Sequence, residues 1–76
     1  MSVQTAVEAN GWELVGMIPG ALEGETVVMS KRSSSPFGQD RVYVTHKHYA
    51  NSDSLNYGHY DMTLEEAVAS MTERCK

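Results

Sequence analysis

The chain has 76 residues, of which 41% are hydrophobic, and a formal net charge of −4. This length predicts a single domain over residues 1–76 with a thin core, because a short chain buries a small share of its surface. The acidic balance argues against nucleic acid as the main partner, since phosphate contacts need clustered lysine and arginine. The single cysteine, Cys75, cannot close an internal disulfide, which is typical of a reducing compartment.

Two further features of the sequence bear on localisation. No apolar run approaches the ~18 residues that a membrane span needs. Residues 1–10 lack the basic start and the apolar stretch of a secretory signal peptide. We therefore expect a cytoplasmic protein without membrane contact.

The first predicted elements are a helix and two strands. Ser2 can cap a short helix, and the Asn-Gly pair at residues 10–11 can end it. Residues 12–18 predict a strand with its even-numbered side chains on one side, ended by Pro-Gly. Residues 25–31 predict a second strand around the apolar run Val-Val-Met, and the serine-rich residues 33–38 predict a loop.

The clearest strand in the sequence covers residues 41–50. Its alternation places two sets of side chains on opposite sides. One side carries Val42, Val44, His46 and His48, and the other carries Arg41, Tyr43, Thr45, Lys47 and Tyr49. A turn at residues 51–54 and a fourth strand over residues 55–61 follow.

The last predicted element is an amphipathic helix after residue 63. Thr63 and Glu66 have the spacing of a capping box, in which each side chain bonds the other residue's backbone amide. An apolar stripe at helical spacing follows, made of Leu64, Ala67, Val68, Met71 and Cys75. From this stripe we expect Leu64, Val68 and Met71 to be buried.

Together these elements predict an α+β fold. Sequential strands with short connections favour a four-stranded antiparallel meander. Both helices must bury their apolar stripes, and we expect them to pack on one face of the sheet. The opposite face would then be open to solvent.

The three histidines suggest one possible metal site. His46 and His48 are two residues apart on a strand, so both imidazoles could reach one ion, and His59 on the next strand could add a third ligand. The alternative is that all three are ordinary polar strand residues. No strong metal motif is present, so our prediction is that the protein holds no metal.

The tyrosines suggest a binding surface. Tyr43, Lys47 and Tyr49 share one strand side, and tyrosine combines rigid contact area with a polar tip. With Glu65 and Glu66 at the start of the last helix, they form our predicted protein-binding surface. Cross-strand pairing of the rings is the structural alternative. Weak stacking of single-stranded nucleic acid is a further alternative, which the net charge disfavours.

No residue pattern indicates catalysis. Cys75 lies at the chain end without a placed base, and the serines of residues 33–35 lack the glycines of a nucleophile elbow. The glycines form no phosphate-binding loop. We therefore expect a protein that is not an enzyme and binds no cofactor.

Two stretches of the chain carry a resemblance. Residues 10–15, Asn-Gly-Trp-Glu-Leu-Val, with the Val-Val-Met-Ser-Lys-Arg strand, resemble the small GWEL-type α/β proteins of bacteria. The segments Tyr-Val-Thr, Tyr-Gly-His-Tyr and Thr-Leu-Glu-Glu-Ala resemble short proteins of phages and integrative elements. The resemblance implies a mobile-element setting, in which small acidic proteins such as anti-CRISPR proteins inhibit a host defence enzyme by binding it.

Overall fold

The computed structural model of the chain describes residues 2–52 and 54–75. The elements in chain order are α1 (Val3–Ala9), β1 (Glu13–Pro19), β2 (Glu25–Lys31), β3 (Tyr43–Tyr49), β4 (Asn56–Met62) and α2 (Leu64–Arg74). The strands form one antiparallel sheet in the order β1-β2-β3-β4. The predicted α+β fold with a four-stranded meander is confirmed. Asp53 of the predicted turn lies outside the described residues.

Both helices begin at the predicted caps. The Ser2 hydroxyl accepts a hydrogen bond from the Thr5 amide at 3.2 Å, and Gly11 ends α1 with a φ of +76°. At α2, the Thr63 hydroxyl accepts from the Glu66 amide at 3.2 Å. In return, the Glu66 carboxylate accepts from the Thr63 amide at 2.9 Å. These bonds satisfy backbone donors that a helix leaves free at its start.

The two helices pack on opposite faces of the sheet, so the prediction that they share one face is wrong. The Thr45 hydroxyl is 2.9 Å from the Ser70 hydroxyl, which places α2 on the Thr45 side of β3. Its neighbour His46 points to the other side, where it stacks on Trp12 and lines a pocket with Ala6 and Ala9 of α1. Both sides of the central strands are therefore covered, and Val27 and Val28 are each 0% exposed.

The face under α2 holds the main core cluster. It consists of Val27 and Met29 from β2 with Ala67 and Met71 from α2. Leu64 and Val68 are 49% and 52% exposed, so the prediction that they are buried is wrong, whereas Met71 is buried as predicted. The helix is rotated so that the side with Ala67, Ser70 and Met71 faces the sheet. Leu64 and Val68 therefore lie on the flank of the helix.

A β-bulge in β1 divides the side chains that we predicted to share one side. Leu14 pairs with Ser30 and Gly16 pairs with Met29, so one extra residue lies between two consecutive partners. The bulge reverses the side on which the following residues point. Leu14 therefore faces the α1 side, whereas Gly16 and Ile18 lie on the α2 side.

Candidate functional site

The predicted binding residues lie at two separate ends of the α2 face. Lys47 and Tyr49 lie beside the end of α2, where Arg74 completes a pocket with them. Tyr43 lies at the other end of β3, where it packs against the core cluster. Glu65 and Glu66 begin α2 and are exposed. Because α2 covers the face between the two ends, this side of the sheet is not the open surface that we expected.

The start of α2 is occupied by internal contacts. The Glu66 carboxylate accepts a hydrogen bond from the Arg41 guanidinium at 2.8 Å as well as from the Thr63 amide. The backbone hydrogen bond from Thr63 is the largest of the interactions that lower the pKa of Glu66. Nearby, the Asp61 carboxylate accepts from Arg32 at 3.2 Å and from Ser35 at 2.8 Å. The charged groups here bind one another.

The other end forms a concave site that we call the Arg74 pocket, with a volume of about 470 Å³. It is lined by one acidic, two basic, two aromatic and one aliphatic side chain. These are Glu25, Lys47, Arg74, Tyr49, Tyr57 and Leu22. Two positive groups and one negative group give the pocket one excess positive charge, whereas the whole chain is acidic.

Glu25 is the buried anion of the Arg74 pocket. Its carboxylate accepts a hydrogen bond from the Ala21 amide at 3.1 Å and lies 3.7 Å from the ammonium of Lys47. A Cβ atom on Gly20 would overlap this carboxylate, so glycine is needed at that position. Burial, followed by the hydrogen bond to Glu25, raises the pKa of Tyr49. Glu25 thus already has a cation and donors around it.

Arg74 differs from Glu25 because one of its side-chain nitrogens is left without an acceptor among the described residues. The Nη1 atom of Arg74 is buried and has no hydrogen-bond partner among residues 2–52 and 54–75. Burial is also the main influence on its pKa, which it lowers. An N–H group that has lost water without gaining an acceptor is costly. An acceptor placed beside Nη1 would remove this cost.

Tyr57 forms the exposed rim of the Arg74 pocket in a strained conformation. Its φ is +54°, in the left-handed region that bulky residues seldom occupy, and the residue is 69% exposed. Its ring packs edge-on against Tyr49 with the centroids 6.4 Å apart. Strained backbone of this kind is concentrated at binding and catalytic sites.

The histidines do not form the three-ligand metal site that we considered. His46 and His48 share one side of β3 and are 2% and 5% exposed. His59 pairs with Thr45, so it lies on the opposite face of the sheet and is exposed. Within the described part of the chain, no group of three potential ligands has the arrangement of a metal site. The sheet thus separates His59 from the other two.

His46 belongs to an aromatic cluster on the α1 face. Its ring stacks on Trp12 at 5.3 Å, and its Nε2 atom is 3.2 Å from the Tyr60 hydroxyl. Burial, with smaller contributions from the charges of Arg74 and His59, lowers its pKa to about 4. The imidazole is therefore neutral at pH 7 and stabilises the fold by packing.

Sequence reasoning missed Glu25 and Arg74, although the pattern contained a signal for each. Glu25 is two residues before Val27, so strand alternation places it on the core face. Arg74 is seven residues after Ala67 and three after Met71, so helical spacing places it on the buried side of α2. A charged residue at a core position is an indication of a site.

Comparisons with known proteins do not identify a relative. A scan against protein-family models, a search of curated proteins and a search of solved structures each found no match. Among the described residues, neither helix is long and apolar enough to span a membrane.

Proposed function

We propose that this protein is a non-enzymatic, cytoplasmic binding module that holds a protein partner at the Arg74 pocket. An acidic side chain of the partner would enter the pocket and bind Arg74, while the exposed Tyr57 and Leu22 would contact the surface around it. The observation that carries the proposal is the buried Nη1 atom of Arg74, which has no hydrogen-bond partner among the described residues. A charge-assisted hydrogen bond to this atom contributes about 1.5–3 kcal/mol.

The surroundings of the pocket support a protein partner. Tyrosine and arginine are enriched among the residues that dominate protein interfaces, and they act best when neighbouring contacts exclude water. Tyr57 and Leu22 are 69% and 65% exposed beside the guanidinium. A host defence enzyme is our proposed partner, with this protein as an inhibitor from a phage or mobile element. That step depends on the sequence resemblance alone.

The proposal keeps two of the predicted binding residues at its centre. Lys47 and Tyr49 line the pocket, and both already contact Glu25 there. Tyr43 packs against the core, so its main contribution is to the fold. Glu65 and Glu66 lie at the far end of α2, where surface acids act on the association rate and its salt dependence.

A small probe tests the pocket directly. Glutamate with both backbone ends capped should shift the side-chain NMR signals of Arg74, Tyr49 and Tyr57. The equally sized capped glutamine should not, because it carries no charge. Arg74→Gln should abolish the shifts. Equal shifts from both probes, or none from glutamate at tens of millimolar, would contradict the proposal.

A pull-down tests the partner. The wild type, Arg74→Gln and Arg32→Gln serve as baits in a lysate of the source organism, with quantitative mass spectrometry as the readout. Arg32 is the matched control because its partner Asp61 lies away from the pocket. We expect one partner whose recovery falls tenfold or more with Arg74→Gln alone. If the recovered proteins are the same for all three folded baits, the interface is elsewhere.

A further inference from the structure

A second concave site lies on the opposite face of the sheet, between the start of α1 and the ends of the central strands. We call it the His48 pocket, and its volume is about 690 Å³. Its walls include Val3, Met17 and Pro19, with Thr26 and His48 on the central strands. Small-molecule sites in proteins commonly have volumes of about 300–1,000 Å³ and mainly apolar walls.

His48 is the polar group that defines this pocket. The residue is 5% exposed, and its Nε2 atom is buried with no hydrogen-bond partner in the described part of the chain. Buried polar atoms in native proteins nearly always have a partner. A bound molecule that hydrogen-bonds Nε2 would remove the cost of leaving this atom unsatisfied.

The charges near the pocket restrict the class of ligand. Among the described residues, Glu25 is the only charged one that lines it, and its carboxylate binds the Ala21 amide and lies beside Lys47. No cation is therefore available for an anionic ligand, and no free anion for a cationic one, among the residues lining this pocket. Met17 is 55% exposed, and its flexible thioether can adapt to the shape of a ring.

We propose that the His48 pocket binds a small, uncharged ring compound that carries one N–H or O–H group. The ring lies against Met17 and Pro19, and its polar group donates a hydrogen bond to Nε2 of His48, with the imidazole proton of His48 on Nδ1. Neither Arg74 nor Tyr57 lines this pocket. The inference is therefore independent of the proposed protein partner, and each can fail without the other.

A matched pair of probes tests the hydrogen bond. Indole and indene have nearly the same shape, but only indole has an N–H donor. Titration into the isotope-labelled protein, followed by NMR, should shift signals of Met17, Thr26 and His48. Indole should bind about five- to tenfold more tightly than indene, as expected for one hydrogen bond. Equal affinities, or no shifts at saturating probe, would overturn the proposal.

Variants at two positions separate binding from folding. His48→Leu should remove the preference for indole, whereas His48→Gln keeps a polar side chain and should keep part of the preference. Because His48 is buried, a second variant is placed on the exposed wall: Met17→Glu should abolish binding of both probes. Val15→Glu is its control, since Val15 is 44% exposed on the same strand and does not line the pocket. Full binding by Met17→Glu would place the probes elsewhere and refute this site.

Discussion

The two ends of α2 differ in how completely their polar groups are satisfied. At the first end, the Glu66 carboxylate accepts from both Thr63 and Arg41 at 2.8–2.9 Å. At the last end, Nη1 of Arg74 is buried without a partner among the described residues, and Tyr57 beside it has a left-handed backbone. In one helix, therefore, the carboxylate of Glu66 at the first end has partners, whereas Nη1 of Arg74 at the last end has none among the described residues.

Under our proposal, the first end of α2 serves stability and the last end serves binding. Buried polar groups that lack partners, and strained residues, each cost free energy that the fold must offset elsewhere. When two such costs occur in one pocket, a bound partner is the simplest physical reason for both. The comparison predicts that substitutions at the first end reduce stability, whereas substitutions at the last end reduce binding.

The largest effect on stability should come from a substitution in the middle of α2. Met71 is 8% exposed in the core cluster, whereas Val68 is 52% exposed. Met71→Ala should lower the free energy of unfolding by about 2–4 kcal/mol, because it removes buried contacts. Val68→Ala should change it by less than about 1 kcal/mol. Urea unfolding followed by circular dichroism measures both, and similar losses would mean that the helix is rotated differently.

The features that the sequence predicted well depend on neighbouring residues. The caps at Ser2 and Thr63 use side chains and amides within three residues of each other, so local spacing is enough to predict them. The strand limits at residues 25–31 follow from an apolar run between turn-forming residues. The order of the strands followed from short connections.

The features that were missed depend on packing between distant segments. The consecutive buried residues Val27, Val28 and Met29 indicate a strand covered on both faces, but we assumed that one face was open. The rotation of α2 brings Ser70 beside Thr45, and these two residues are 25 positions apart. The Arg74 pocket likewise joins residues from β2, β3, β4 and α2.

A second prediction concerns the pH dependence of stability. It tests His46 on the α1 face, away from the two ends of α2. The folded-state pKa of His46 is about 4, below the usual value of 6.5, so the unfolded chain binds more protons between these values. Stability should therefore fall as the pH decreases through this range. Between pH 7 and pH 5 we expect a loss of about 1–2 kcal/mol from this group.

The control for this pH effect is a variant without a titrating ring. His46→Phe retains an aromatic ring between Trp12 and Tyr60 but cannot bind a proton. Its stability, measured by urea unfolding at several pH values, should change less than that of the wild type between pH 7 and pH 5. An unchanged slope would assign the pH effect to another group.

A substitution at the first end of α2 should have a smaller effect, on stability and not on binding. Thr63→Ala removes the hydroxyl that accepts from the Glu66 amide and should cost about 0.5–2 kcal/mol. Ser remains a good cap, so Thr63→Ser is the matched control and should cost little. Neither variant should change the affinity for the capped glutamate probe. A loss of probe binding by folded Thr63→Ala would show that the two ends of α2 are coupled.

The smallest effect on stability, and the sharpest test of the comparison, is expected at Tyr57. Tyr57→Gly relieves the left-handed strain, at +54°, but loses the edge-on contact with Tyr49 and gives the unfolded chain more freedom. These contributions oppose one another, so the free energy of unfolding should change by less than about 1 kcal/mol. Affinity for the partner found by pull-down should fall tenfold or more, as for an interface anchor.

Tyr60 is the matched tyrosine for this test, because it is on the same strand and 48% exposed. Its ring contacts Trp12 and His46 on the α1 face, away from the Arg74 pocket. Tyr60→Ala should therefore lower stability by about 1–2 kcal/mol through lost ring contacts and leave partner affinity unchanged. Isothermal titration and thermal unfolding on the same samples measure both quantities. If Tyr57→Gly loses stability but not affinity, the left-handed tyrosine serves the fold, and the distinction between the two ends of α2 fails.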